Sequence, residues 1–321
     1  MSFLKKLRQS ASSVKTYLSK IGHFDCGMLL KLVYYSLCSI WIDEKYNEKK
    51  WNIVNQYIVK NYGKILDEKI EPSTTPTTPI IWVLWFQGYE NMPKICKACY
   101  QSLLKHCGDV PVVLLTESNI KDYITIPAEI IEKIKAKKIT LTSYSDIIRS
   151  TLLAKYGGLW VDSTLYFVND IPKEWFERPF FSIKNKQDGY KYVSRNRWTS
   201  FLLGTNGTTS LFHKFSKLLQ EYTIKEDAFI EYLLVDHVIN VLFEREEYKT
   251  DLENLPISNE QLHWLSPRLN DRYDSEAFSK VCQDNICFKL TYKQSFKDIV
   301  DGGTTYYGVI CDNINNTSLN E

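Results

Sequence analysis

Ile80, Ile81, Trp82, Val83, Leu84, Trp85 and Phe86 form a continuous apolar run. A strand with no polar face has to be covered on both sides, which is the condition of a parallel strand inside an α/β sheet. A helical stretch over 93–106, stopped by Gly108, follows, and then a second apolar run at 110–115. Strand, helix, strand in this order begins a βαβ unit, so the chain is predicted to be α/β, with a Rossmann-like, mostly parallel sheet flanked by helices.

The flanking text sets the organisation. Residues 1–70 carry helical periodicity and end in a stretch, 71–79, that holds Pro72, Pro76 and Pro79 among threonines. Such a stretch fits neither a helix interior nor a central strand, so 1–70 is expected to be a helical extension, 71–79 a linker, 80–310 the main domain and 311–321 a polar tail. Within the main domain, 120–138 is mostly helical. Ser143 or Ser145 can cap a helix running to Tyr156, where Gly157 and Gly158 give a left-handed stop. Strands are expected at 159–161, 180–183 and 199–203, and helices at 210–220 and 228–243.

Forty Lys and Arg against thirty-eight Asp and Glu leave a formal charge of +2, so no global field calls for nucleic acid. Eight cysteines are scattered. Cys26, Cys38, Cys96 and Cys99 sit in apolar or helix-like stretches and read as reduced thiols in a cytoplasmic protein; Cys96 and Cys99 lack a matching second pair for zinc. The basic N-terminus lacks the apolar core and cleavage site of a secretory signal. Lys5, Lys6, Arg8, Lys15 and Lys20 alternate with Phe3, Leu4, Leu7, Val14, Leu18 and Ile21, which suits either a helix lying on the anionic inner face of a membrane or a helical cap on the domain. The apolar run from Cys26 to Ile42 holds Lys31 and is marginal for a span.

Three residues carry the chemistry. Asp146 and Arg149 are three apart on one helix and share a face, while Asp162 leaves the carboxyl end of a buried strand, where open α/β sheets place their ligands. Alone, Asp146 and Arg149 would read as a surface ion pair; their spacing to Asp162 argues for a site. A single carboxylate, with water and phosphate oxygens, suffices to hold Mg2+ or Mn2+ on a diphosphate. His213, His237 and His263 have no metal-ligand spacing, but Asp236 and His237 interrupt an apolar helix and are expected to face an acceptor. Arg195 and Arg197 are expected as diphosphate contacts or solvated surface.

The string from Ser145 through Asp146, Arg149, Tyr156, Gly157, Gly158, Trp160 and Asp162 to Thr164 resembles the S-D-x-x-R…Y-G-G-x-(W/Y)-x-D-x-(D/T) block of capsular polysaccharide synthesis proteins. That family is similar to the DXD-containing sugar transferases of glycosyltransferase family 32 and, more remotely, to clostridial glucosylating toxins. Further matches are 81–88, Met92 with Pro93, and Leu290 to Lys293, so the resemblance covers roughly 80–295. It implies a GT-A-type fold and a glycosyltransferase that moves a sugar from a nucleotide-sugar donor, a UDP-sugar in the first instance, to a lipid-linked oligosaccharide or polysaccharide acceptor. By the same resemblance Asp146 and Arg149 hold donor hydroxyls, Asp162 and Thr164 stand at the Mn2+ or Mg2+ motif, and Trp82 or Trp85 stacks on uracil. Gln87, Gly158, Ser163 and Lys293 join the donor side, and Trp198 joins Asp236 and His237 on the acceptor side. Thr164 departs from a strict motif, which has a second Asp there. No strong general base is visible, which fits a retaining reaction in which the leaving phosphate takes the acceptor proton. The rival readings are a sugar-phosphate transferase of capsule assembly and a non-catalytic nucleotide-sugar scaffold.

Overall fold

The structure, a computed structural model, describes residues 3–39, 43–184, 192–253, 255 and 261–317. Three helices come first: α1 (Phe3–Leu18), α2 (Cys26–Cys38) and α3 (Asp43–Leu66). Then follow β1 (Ile81–Leu84), α4 (Lys94–His106), β2 (Val112–Leu115), α5 (Ile120–Tyr123), α6 (Ala128–Lys135), α7 (Leu141–Tyr156), β3 (Gly158–Val161) and β4 (Leu165–Phe167). The second half holds β5 (Phe181–Ser182), β6 (Leu202–Thr205), α8 (Leu211–Lys225), α9 (Leu234–Phe243), α10 (Glu246–Glu253), α11 (Ser275–Gln283), β7 (Cys287–Lys289) and α12 (Tyr306–Thr317).

The main sheet has the order β2-β1-β3-β6-β5. β1 is parallel to β2 and to β3, whereas β6 is antiparallel to both β3 and β5, so four strands point one way and one is reversed. This is the mostly parallel α/β sheet that the apolar runs predict, and β1 and β3 are buried along their whole length. Because β2 and β3 lie on opposite sides of β1, the carboxyl ends of β1 and β3 flank a switch point, where such sheets leave a crevice.

The step from α7 into β3 depends on two glycines. Gly157 has φ 65° and ψ −150°, so the helix does not end in the expected left-handed α conformation but in a region essentially reserved for glycine. A Cβ on Gly158 would lie 2.3 Å from the backbone oxygen of Ile80, because the chain entering β1 crosses directly over it. The helix begins at neither Ser143 nor Ser145. Thr140 is its cap, accepting from the Ser143 N–H at 3.1 Å, and both serines lie inside the first turns.

The Pro/Thr stretch is tied down, since the Thr77 N–H donates to Asn206 O at 2.8 Å. Ahead of it, α3 packs on α8 and α9, burying Val54, Ile58, Tyr62 and Leu66 in the same core as the main sheet. Tyr57 and Tyr62 both donate to Glu226, and Tyr17 of α1 donates to Glu231. Cys26 is exposed while Cys96 and Cys99 are buried, so the small-hydrophobe reading fails at Cys26 alone of these three. Lys20, counted above among the lipid-facing cations, is buried and donates to Ile230 O at 2.8 Å, so it cannot face lipid here. The side chains of Lys5, Lys6 and Arg8, and the end of the Cys26 to Ile42 run, lie outside the description. No described helix is long and apolar enough to cross a membrane.

Fully burying an aliphatic or aromatic side chain contributes about 1.5–3 kcal/mol, and net stabilities are only about 5–15 kcal/mol. Removing residues 1–70 uncovers the faces of α8 and α9 that α3 buries, a loss comparable to the whole net stability. The truncated chain is expected to aggregate or to lose its cooperative thermal transition in calorimetry. A monomeric truncation that melts like the full chain would show the extension to be separable.

Candidate active site

An open cleft of about 680 Å³ lies at the carboxyl ends of β1 and β3. Its walls come from Leu84 at the end of β1 and the segment after it (Trp85, Phe86, Gln87, Asn91), from the first half of α7 (Leu141, Thr142, Ser145, Arg149), from Trp160, Asp162, Ser163 and Thr164, and from Lys289 to Lys293, with Tyr232 at the side. Of the expected residues, Trp85, Gln87, Arg149, Asp162, Ser163, Thr164 and Lys293 meet here.

Asp162 is the hub of the site. Its Oδ1 accepts from the Trp160 indole Nε1 at 2.9 Å and lies 3.3 Å from Arg149 Nη2; its Oδ2 accepts from Lys289 Nζ at 2.9 Å. Burial pushes its carboxyl up, but Lys289 and Arg149, helped by the Trp160 N–H, outweigh burial and hold it below the usual carboxylate range. It keeps 28% of its side-chain surface, so it faces the cleft while remaining ionised.

Arg149 is fixed from several sides. Its guanidinium donates to Ser200 O, contacts Asp146 Oδ1 at 3.4 Å and stacks over Trp160 with 5.0 Å to the ring centroid. Its Nε is buried without a hydrogen-bond partner. Asp146 itself is 6% exposed and lies behind Arg149, away from the cleft wall. Burial pushes its carboxyl up to about 7, with Arg149 opposing and Asp162 and Asp236 adding to the rise. Asp146 thus contacts Arg149 and does not line the cleft, where the expectation placed it on a donor hydroxyl.

Lys289 is the residue that motif reading misses. β7 pairs antiparallel with β4, setting Lys289 opposite Leu165, and its Nζ also donates to Thr164 Oγ1 at 2.7 Å. The only local hint is a charge ending an apolar segment directly before Leu290; its contact lies 127 residues away in sequence.

Several expectations fall. Trp82 is 1% exposed, donates its indole N–H to Gly157 O at 3.0 Å and packs on Tyr123 and Tyr156, so it is a core residue and not a base platform. Trp85 does line the cleft, in a T-shaped contact with Tyr292 at 5.4 Å between centroids. Gly158 acts through its backbone geometry and does not line the cleft. Trp198, Asp236 and His237 form a buried cluster, not an acceptor face: Trp198 Nε1 donates to Asp236 at 3.0 Å, and His237 Nδ1 lies 2.8 Å from Asn55 Oδ1. A polar pair inside an apolar helix is here a satisfied core pair, with Trp198 as the partner of Asp236 and Asn55 of α3 as the partner of His237. Arg195 pairs with Glu48 and Arg197 with Asn240, both away from the cleft.

A divalent cation expected at Asp162 and Thr164 does not fit this donor set. Both residues already accept from Lys289, and the other oxygen of Asp162 is engaged by Trp160 and Arg149. Among the described residues no three His, Cys, Asp or Glu side chains gather to hold a metal. A second cleft of about 790 Å³ lies beyond the end of α3, but Lys214 and Arg245 in its wall are paired with Glu247 at 2.7 Å and Asp67 at 2.6 Å.

The sequence profile of the family described as "Capsular polysaccharide synthesis protein" matches residues 35–310, which include every residue of the cleft. The chain belongs to the capsular polysaccharide synthesis protein family. The match begins inside α2 and takes in α3, well ahead of residue 80, so the family extends over a helix that the motifs alone leave out. No curated protein matches the chain. Among solved structures it is similar to the apo form of the bifunctional glycosyltransferase WbbM, at 10% identity and TM-score 0.39, covering 76% of this chain and 50% of that one. It is also similar to the apo form of the glycosyltransferase GlyE of Streptococcus pneumoniae TIGR4, at 13% identity and TM-score 0.37, covering 76% and 64%. The chain thus matches between half and two thirds of the length of these structures.

The core reading of His237 has a pH signature. Burial lowers its pKa from 6.5 to about 3, so the folded protein binds fewer protons there than the unfolded chain. Stability from this group is present above the unfolded value and is lost as pH falls from 6.5 towards 3. Denaturant titrations at about pH 6 and about pH 4 should show a loss approaching 1.4 kcal/mol per pH unit that is missing in His237→Gln. Equal slopes in the two proteins would mean that the imidazole is solvated.

Proposed function

We propose that the chain is a glycosyltransferase that moves a sugar from a nucleotide-sugar donor, a UDP-sugar in the first instance, to a growing capsular or surface polysaccharide. The observation that carries this reading is the convergence of Arg149, Lys289 and Asp162 in an aromatic-walled cleft at the switch point of the sheet. Departure of a nucleoside diphosphate builds negative charge, and preorganised cations in a partly dry site stabilise it far more than water does. Trp85 and Tyr292 offer ring faces for the base, and Lys293 adds a cation on the cleft wall.

Among the described residues lining the cleft, Asp162 is the one carboxylate. Two cations hold it ionised and weakly basic, which supports a retaining reaction in which the leaving phosphate oxygen takes the acceptor proton. A lipid-linked acceptor is supported by the outer face of α2, where Leu30, Tyr34 and Leu37 are exposed at helical spacing beside exposed Lys31. An apolar stripe of this kind with a cation beside it suits peripheral contact with an anionic bilayer.

Donor labelled separately in the sugar and in the β-phosphate decides between the classes: sugar label should move to acceptor, phosphate label should not. Asp162→Asn is expected to lower transfer by about 10²–10³-fold, and Arg149→Lys by a similar order, because an ammonium cannot replace a fork held at several points. Wild-type rates in both variants would remove the cleft from the reaction, and movement of the phosphate label would make the protein a sugar-phosphate transferase.

A further inference from the structure

The position that a metal would take in a sugar transferase is filled here by a side chain. Lys289 Nζ sits between Asp162 Oδ2 at 2.9 Å and Thr164 Oγ1 at 2.7 Å, the two residues that stand at the metal motif. Two cations, Arg149 and Lys289, already face the single cleft carboxylate Asp162, with Asp146 retracted against Arg149. A divalent cation added there would meet two positive groups and a carboxylate whose acceptor positions are mostly taken. A diphosphate would bring the negative charge that the two cations can accept.

We propose that Lys289 replaces the divalent cation: its ammonium receives the donor diphosphate, and sugar transfer needs no metal. The inference rests on the reading of the cleft as a nucleotide-sugar site.

Placement of the ammonium is firm. β7 is hydrogen-bonded to β4, the Lys289 N–H donates to Leu262 O at 2.8 Å and the Leu290 N–H donates to Thr164 O at 2.8 Å, so the backbone at Lys289 is held by β4, by Leu262 and by the turn that carries Asp162. The Nζ also lies 4.5 Å from the Phe201 ring centroid, and the side chain keeps 19% exposure. Thr164, where a strict motif has Asp, follows from the same logic. A hydroxyl orients an ammonium as an acceptor, whereas a second carboxylate would tie that ammonium into two ion pairs and leave less positive charge for the diphosphate.

In the transfer itself, the bond between the anomeric carbon and the β-phosphate oxygen breaks with its electron pair going to that oxygen. Lys289 and Arg149 offset the charge so formed. The acceptor oxygen bonds to the anomeric carbon, and its proton passes to the released diphosphate. Nothing else is consumed.

Calorimetric titration of the full chain with UDP and with GDP, each in excess EDTA and in Mn2+, tests this directly. The better-bound of the two is expected to have the same dissociation constant in both buffers, to within about threefold, and to lose about tenfold or more in Lys289→Met, consistent with loss of a charge-assisted contact. Lys289→Arg should recover part of that loss, which a purely structural lysine would not require. Binding that needs Mn2+ would overturn the role of Lys289 and leave the donor site standing. Absence of binding by either nucleotide in either buffer would remove the donor site and this inference with it. If Lys289→Met fails to fold, the EDTA and Mn2+ arms on the wild-type chain still decide the matter.

Discussion

The Asp162 carboxylate, held between a guanidinium and an ammonium, is the contact on which the arrangement of this cleft depends. An isolated carboxylate at that depth would be driven towards its neutral form, and two unpaired cations at the same depth would be more costly still. Together they let three polar side chains share a site that retains only partial access to water. Each comes from a different element: Arg149 from α7, Asp162 from the end of β3, and Lys289 from the last position of β7. The helix, the sheet and the β4–β7 pair therefore converge on one charge balance, and Asp146 supports it from behind by fixing Arg149.

Local spacing explains what was legible in the sequence. Arg149 and Asp162 are joined by one helix end, two glycines and one short strand, so a few residues of regular geometry set their separation. The glycines are required because Ile80 and Thr77 pass within contact distance, which makes the pair a sequence marker of the turn. The apolar run that becomes β1 declares a doubly covered strand because no polar side chain interrupts it, whereas the run that becomes β2 lies at the sheet edge and is mostly half-buried.

What was not legible is long in range. Lys289 reaches Asp162 through a strand pairing across 127 residues, and nothing near Lys289 announces its partner. Trp82 and Trp85 look alike in an apolar run; only the position of the strand end separates a core indole from one at the cleft. Asp236 and His237 look functional because they break an apolar helix, yet Trp198 and Asn55 satisfy them inside the core. Asn55 belongs to α3, a helix placed outside the main domain by composition but packed into it by its buried stripe.

Two clefts compete for an anionic ligand. In the larger one Lys214 and Arg245 are matched by Glu247 and Asp67, while in the other Arg149 and Lys289 share Asp162 and are left with positive charge to spare. A crystal structure of the full chain with bound UDP separates them most directly. The diphosphate should lie within hydrogen-bond reach of Lys289 Nζ, with the uracil against Trp85. Density for the nucleotide beside Lys214 and Arg245 instead would contradict the assignment of the donor site.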